Sequence, residues 1–509
     1  MSWFNLKFLS KNLNCNSFIF YSLFTIVLVF FIPNMWDGSD FDHAFTTGHL
    51  EIINIWAFEN SNPFLLVPIY FLYFLKKTFN INHEFLFDVF TIFFFLLFCF
   101  EIKKICKYLL NLDNYYCNVC AVFAATFPIW ESLVAIHLGL YIFAFYLVLI
   151  GHRIYIKENI LFKILGAILI LFSFTIKSNF SFIIGLSLAY TLKLYFVDNK
   201  NNYINFIIVL LLTFLCFTID QKFFPTYGFF AGHNAIAIKN LSLINIFTGL
   251  TNYLSFFAVY LWIPLIVIVY FKLWKKFTYK ILKKELIYAG ILIVLFFTAT
   301  APYILVNKYT DIFFFRDFMS RQAFLLTIPF SLFFTVLFEF IERISKKKII
   351  RVIIIIFILQ SLLICSIKYY FKIEASIFRE NLILQLKLFS EPASGYIKFK
   401  NERGSYFNDY EFETYFPGHR LRIAELTNIF YKAYNKESWL PFIPLAKNGQ
   451  TVNFETYKIF FKAKDFNYKK PCIIEITFEN SLDLLSRIKK IYIINYEKYF
   501  LIKSIRGVC

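Results

Sequence analysis

Residues 85–104 read Phe85-Leu86-Phe87-Asp88-Val89-Phe90-Thr91-Ile92-Phe93-Phe94-Phe95-Leu96-Leu97-Phe98-Cys99-Phe100-Glu101-Ile102-Lys103-Lys104. Asp88 interrupts a run of aromatic and aliphatic side chains, and Glu101 with two lysines closes it. A bilayer core about 30 Å thick needs roughly 17 to 25 mainly apolar residues per helix. The run is therefore a membrane span with a cationic stop. The same pattern recurs along the 509 residues, which are 59% hydrophobic, 22% aromatic and 17% charged, with a mean hydropathy of +0.61. An average soluble domain carries roughly 25% charge and has no core large enough for this much apolar surface. Composition thus excludes a soluble enzyme, a disordered chain and a secreted disulfide scaffold. The fold class expected is an all-α polytopic membrane protein.

Working outward, spans are expected near 17–33, 85–101, 115–130, 138–151, 160–176, 179–196, 204–219, 253–271, 286–306, 322–340 and 352–369, eleven in all. Phe31-Ile32-Pro33-Asn34 offers no small-residue cleavage site, so the first is read as a span and not a removed leader. The net charge of +19 comes from 52 Lys and Arg that gather at the ends of apolar runs. This placement speaks for membrane orientation and against nucleic acid as a partner. With a cytoplasmic N-terminus, twenty-one of these cations fall in cytoplasmic segments and eight in the opposite loops up to the last span. The bias sets the N-terminus inside and, with an odd number of spans, the C-terminus outside. The expected location is a multi-pass protein of the cell's inner membrane.

Residues 1–370 form the transmembrane part. Near 370 the composition changes: charges become frequent, and turn signals appear at Glu391-Pro392-Ala393-Ser394-Gly395 and Pro417-Gly418. Alternating runs such as Cys472-Ile473-Ile474-Glu475-Ile476-Thr477-Phe478 read as strands. Residues 371–509 are accordingly expected to be a small extracytoplasmic α/β domain, in which Cys472 and Cys509 share an oxidising compartment and can pair. The other seven of the nine cysteines lie in or beside apolar runs and read as small buried hydrophobes. Cys117-x-x-Cys120 looks like half of a zinc or redox motif without a partner pair, and is read as structural. No phosphate-binding glycine loop is present, which argues against an ATP-driven pump or a nucleotide-sugar enzyme.

The first outer loop, 34–84, opens with Met35-Trp36-Asp37-Gly38-Ser39-Asp40-Phe41-Asp42-His43. A carboxylate here can serve as a general base, Asp40 and Asp42 can together hold a divalent cation, or the cluster can be an ordinary helix cap. Residues 42–60 look amphipathic and fit to lie along the interface. Asn62-Pro63 then opens an apolar stretch, 64–75, that is too short to span and ends in Lys76-Lys77. Six of the seven histidines fall outside in this topology, which puts any chemistry on the extracytoplasmic face. Among the outer cations close to span ends are Lys177, Arg316 and Arg321. They suit a lipid phosphate, although Arg316 can instead pair with Asp317 and Arg321 can snorkel.

This order of elements resembles the GT-C superfamily of membrane glycosyltransferases, of the protein mannosyltransferase and aminoarabinose transferase type. Asp40-Phe41-Asp42-His43 stands where the family often has Asp-Glu, and Asn62-Pro63-Phe64 where it often has Pro-Pro. Phe127-Pro128-Ile129-Trp130-Glu131 and Thr175-Ile176-Lys177 also look like family features. The resemblance covers roughly residues 17–200 as architecture. It implies transfer, with inversion, of a sugar from a polyprenyl-phosphate donor to a cell-surface glycan or lipid acceptor. Carried over by position, Asp42 is the first candidate for the catalytic base and Asp40 the second. Glu131 and His137 would orient the acceptor, and Lys177, Arg316 and Arg321 would meet the phosphate. Two alternatives stay open: an O-antigen polymerase or ligase, and a non-enzymatic transporter or flippase of lipid-linked sugars.

Overall fold

The computed structural model describes residues 62–130, 138–157, 159–174, 176–198, 203–226, 242–273, 279–310, 317–345 and 349–387, three short strands, and the positions 45, 50, 53–54, 57–58, 133, 159 and 312. The helices in chain order are α1 (Leu66–Phe79), α2 (His83–Leu110), α3 (Asn114–Ala125), α4 (Gly139–Tyr155), α5 (Ile160–Ser173), α6 (Asn179–Phe196), α7 (Tyr203–Phe223), α8 (Leu243–Tyr270), α9 (Tyr279–Leu305), α10 (Thr327–Ser345) and α11 (Ile349–Lys387). Two 3-10 turns, Pro63–Leu65 and Asp317–Leu326, lead into α1 and α10.

Local chemistry sets where these helices begin and end. The side chains of Asn82, Asp113, Asn159 and Ser242 accept from the backbone N–H of Glu84, Tyr116, Leu161 and Asn245 and so cap α2, α3, α5 and α8. Asn80 and Asn111 follow α1 and α2 with φ of 50° and 47°, a left-handed conformation that asparagine tolerates better than most side chains.

The protein is mostly helical and membrane-embedded. Among the described residues, seven helices or helix segments are long and apolar enough to cross a bilayer: α2, α6, α7, α8, residues 285–305 of α9, 321–345 with α10, and 350–369 of α11. α4 and α5 are apolar but shorter, 17 and 14 residues. The expected spans from 85 onward each coincide with a helix, while 17–33 lies outside the described residues. The apolar stretch at 64–75 is α1, which buries Ile69 and Leu72 and exposes Val67, Phe71 and Phe74. α11 runs on without a break through residue 370, where the composition changes.

The segment around α10 is the hub, 78% buried, whereas α7 is only 11% buried and faces outward. Around α10 the rings of α3, α8 and α11 interlock: Phe123 on Phe357 at 4.6 Å, Phe334 on Phe357 at 4.7 Å, and Tyr260 on Phe330 at 5.4 Å. Phe127, just past α3, reaches Phe330 at 4.6 Å. Lipid is as apolar as these rings, so contact density holds the helices together in place of exclusion from water. Glycine permits the closest approach. A Cβ on Gly166 of α5 would stand 2.6 Å from the Tyr155 backbone nitrogen and 2.7 Å from the Gly151 carbonyl of α4.

Polar ties gather at one end, here the lysine-rich end. Arg153 of α4 grips Glu101 of α2 with Nε at 2.6 Å and Nη2 at 3.2 Å, and Lys104 adds a third bond at 2.7 Å. Tyr116 of α3 donates to Glu342 of α10, Arg351 of α11 meets the same carboxylate at 3.1 Å, and Arg343 of α10 pairs with Glu285 of α9. His152 is buried between the Val148 carbonyl and the Ser187 hydroxyl of α6, 2.9 and 2.8 Å away.

Three strands, β1 (Gly395–Lys400), β2 (Cys472–Phe478) and β3 (Ile502–Val508), form a sheet in that order, parallel then antiparallel. Its register sets Ile473 opposite Val508. Cys509, the expected partner of Cys472, lies outside the described residues.

Glu101 is almost fully buried and its charge is met chiefly by Arg153. Glu101→Ala leaves the guanidinium without its partner and is expected to lower stability by about 3 kcal/mol. Lys104→Ala removes an exposed contact worth less than about 1 kcal/mol. Denaturant titration of the detergent-solubilised protein separates the two.

Candidate functional site at the end opposite the lysines

The other end of the bundle is built differently. The α5–α6 turn, Phe174 to Ser178, brings Lys177 against Asp220 near the end of α7, with 3.2 Å between Nζ and Oδ2. The next residue, Ser178, accepts a hydrogen bond from the Tyr303 hydroxyl of α9 at 3.1 Å. One turn into α6 the Ser181 hydroxyl donates to the Thr298 carbonyl at 2.7 Å. These bonds fix α6 to α9 and hold the Tyr303 hydroxyl beside Lys177.

Past α9 the backbone reverses. Asn307, with φ of 55°, allows Lys308 N–H to return to the Tyr303 carbonyl at 2.8 Å. Lys308 is thereby folded back over the end of its own helix, close enough to Arg321 for the two cations to act on each other. Arg321, in the 3-10 turn before α10, also acts on Tyr303, as does Tyr141 of α4. The neighbouring Gln322 carbonyl accepts from Tyr253 of α8 at 3.3 Å, which anchors that turn. Partial burial and the Arg321 guanidinium push Lys308 down to about 8. Lys308 and Arg321 thus meet at Tyr303, which is tied to Ser178, while the adjacent Lys177 is paired with Asp220. Such an array suits an anion that presents several oxygens.

Two further features border it. Lys368 of α11 is buried, its Nζ 5.9 Å from the centre of the Phe256 ring. Close by, the Cys365 thiol donates to the Thr126 carbonyl at 3.2 Å, and Trp130 Nε1 donates to the Ala124 carbonyl at 2.9 Å. These contacts make the turn after α3 a rigid floor. On the other side, Phe45 is wedged between Tyr73, His83 and Phe87 at 5.8, 5.9 and 5.0 Å, and Lys76 donates to its carbonyl. Phe64 of the first 3-10 turn rests on Phe172 of α5 and Phe224 beyond α7, at 5.9 and 6.2 Å. Phe45, three positions after Asp42, and Phe64 are therefore packed at this same end.

Of the residues singled out in the sequence, Arg321 acts on Lys308 and Tyr303, and Lys177 pairs with Asp220 next to Ser178 at the same end. Asp40, Asp42, Glu131, His137 and Arg316 lie outside the described residues. Phe45 stands three positions after Asp42, and the buried Leu133 and Leu138 flank Glu131 and His137 in sequence. The expected divalent cation rests on Asp40 and Asp42 and so falls outside as well. Among the described residues no group of three His, Cys, Asp or Glu is arranged to hold a metal. Ser178, Asp220, Tyr303, Lys308 and Lys368 were missed by the sequence reading. Tyr303 and Ser178 are 125 positions apart, and nothing local marks either one.

No family model, curated protein or solved structure matches the chain. What this end of the molecule can do therefore follows from its own geometry, which is a cationic, aromatic cradle at the rim of a membrane bundle.

A lysine depressed to about 8 loses its proton well below the ordinary lysine value of about 10.4. Its neutral amine, the form that reacts with acylating reagents, is expected to appear at Lys308 through about pH 8. Folding stability carried by this group rises over the same interval, because the unfolded chain still holds the proton that Lys308 has released. Competitive acetylation at stepped pH, read by mass spectrometry, gives the midpoint. Arg321→Ala should move it upward, and an unchanged midpoint would show that the two cations are not coupled.

Proposed function

We propose that this protein is an integral membrane glycosyltransferase of the GT-C type, moving a sugar from a polyprenyl-phosphate donor to a cell-surface glycan or lipid acceptor. The observation that carries this reading is the approach of Lys308 and Arg321 to each other and to Tyr303, at the end of the bundle that also holds Lys177 and Phe45, three positions after Asp42. A departing lipid phosphate concentrates negative charge on its oxygens, and preorganised cations at that place lower the barrier. Lys177 would exchange its contact with Asp220 for the phosphate. Asp42 takes the proton of the acceptor hydroxyl, with Asp40 as second candidate or as a fellow ligand of a divalent cation. Glu131 and His137 orient the acceptor, and Arg316 joins Arg321 at the phosphate.

The same reading sets eleven spans in the cell's inner membrane, the N-terminus and the lysine-rich end in the cytoplasm, and the cationic cradle outside. Residues 371–509 are then an extracytoplasmic α/β domain, for which the three-stranded sheet gives support. The charge bias favours this orientation.

A second reading gains from one observation. Lys308 and Arg321 both belong to the late connection between α9 and α10, where an O-antigen polymerase or ligase would carry its key cations.

Transfer from labelled polyprenyl-phosphate sugars in membranes, with protein abundance checked, tests both. Asp42→Asn is expected to lower transfer by about 10²- to 10⁴-fold, the range of a lost general base. Arg321→Ala should also lose transfer. If Asp40→Asn and Asp42→Asn both leave transfer intact while Arg321→Ala abolishes it, the base assignment fails and the polymerase or ligase reading takes its place.

A further inference from the structure

α1 carries apolar side chains on both of its faces, and only one face is packed. Pro68, Ile69 and Leu72 share the inward face and are buried, whereas Val67, Phe71 and Phe74, half a turn away, are 58%, 57% and 60% exposed. The polar side chains beside that outward stripe are Tyr70 and Thr78. The Tyr70 hydroxyl donates to the Asn54 side-chain carbonyl at 2.7 Å. A helix on a protein surface in water turns polar groups outward, and one that is apolar all round is covered on every side. The outward face of α1 therefore calls for a second apolar partner.

Contacts at its two ends give the course of this helix. Leu65, Ile69 and Leu72 cluster with Leu86 and Phe87 near the start of α2 and with Leu140 at the start of α4. Phe64, just ahead of α1, rests instead on Phe172 in the last turn of α5 and on Phe224, one residue past α7. These four helix ends all lie at the end of the bundle opposite the lysines. A helix inserted between its neighbours would meet residues near their middles, and the contacts of α1 among the described residues stay at their ends. α1 thus runs crosswise over α2, α4, α5 and α7. Its 14 residues measure about 21 Å, which is short of the hydrocarbon core of about 30 Å.

What the stripe adjoins identifies the cover. α5 and α7, on whose ends Phe64 sits, expose Leu161 and Phe214 on the outside of a membrane-embedded bundle, so α1 borders a surface that already meets lipid. Lys77, exposed in the last turn of α1, can hold its ammonium at the level of lipid phosphates while its stem stays in the apolar layer. We propose that α1 is an interfacial helix lying flat in the leaflet at this end, with the Val67, Phe71 and Phe74 side chains among the upper segments of the acyl chains and Lys77 at the phosphates. Its partner is bulk phospholipid. The inference is independent of the glycosyltransferase reading, because it uses neither the acidic cluster nor the cationic cradle.

Val67 and Phe74 are seven residues apart on one face, about 10.5 Å along the helix axis, so their relative depth reports the tilt. A fluorescent coumaryl amino acid is placed at position 67, 71 or 74 of the full-length protein, and at Phe214 of α7 as the reference. Each of these side chains is exposed, so the replacement leaves the packed face intact. The protein is reconstituted in phosphatidylcholine vesicles doped with phosphatidylcholine that carries a nitroxide either near the headgroup or near the end of the acyl chain. All three α1 positions should be quenched, more strongly by the shallow nitroxide than by the deep one, and positions 67 and 74 should show the same ratio of the two. A ratio that shifts from 67 to 74 means that the helix descends into the bilayer, and overturns the flat placement. Protection of all three positions from both nitroxides while Phe214 is quenched means that water or protein covers the stripe, and overturns the proposal outright.

Discussion

Hydrocarbon offers no hydrogen-bond partner, and this one constraint arranges the rest of the molecule. Inside the helices, hydroxyls turn back on their own backbone: Thr126, Thr213, Thr298, Ser331 and Thr335 each donate to the carbonyl four residues earlier. Charges retreat to the two ends, where they meet different fates. At the lysine-rich end, Glu101, Glu285 and Glu342 absorb the cations in direct pairs that also tie helix to helix. At the opposite end, Lys177 pairs with Asp220, while Lys308 and Arg321 come close enough to act on each other.

Packing follows from the same solvent. With no water to be driven out between helices, cohesion has to come from dense contact. Phenylalanine, with 72 copies in the chain, supplies it through edge and tilted ring contacts around α10. Where two backbones must come nearer than any side chain allows, as at Gly151 and Gly166, glycine supplies the space. The outward helices α5 and α7 have the same apolar composition but few partners, and their exposed Leu161, Phe214 and Leu211 are what a lipid-facing surface requires.

Much of this was legible residue by residue. Apolar length located the helices from 85 onward, and the charge bias separated the two ends before any contact was known. Lys177 and Arg321 stood out because few cations occupy their end. What escaped was what depends on long-range pairing: Ser178 with Tyr303 and Lys177 with Asp220. Hydropathy also could not rank helices by depth, since central α10 and peripheral α7 have similar values. Lys368 was invisible for the related reason that a lysine near the end of an apolar run looks like a snorkelling flank until its neighbours are known. The composition change at 370 marked a real shift in character, yet α11 continues across it, because helix propensity does not stop where hydropathy does.

One dimension carries a consequence for the lipid itself. α5 has fourteen residues, and at about 1.5 Å per residue it measures about 21 Å, against a hydrocarbon core of about 30 Å. Its exposed flank of Ile160, Leu161, Ile164, Leu165 and Ile168 has no helix in front of it among the described residues. Were α5 to cross the bilayer, acyl chains beside it would have to shorten to match, and the membrane surface would dip next to the turn that carries Lys177. A phospholipid-like molecule drifting past would find its headgroup lowered toward the protein at that spot. The bilayer's own elasticity, and not any side chain, would then bring the charged group of a lipid within reach.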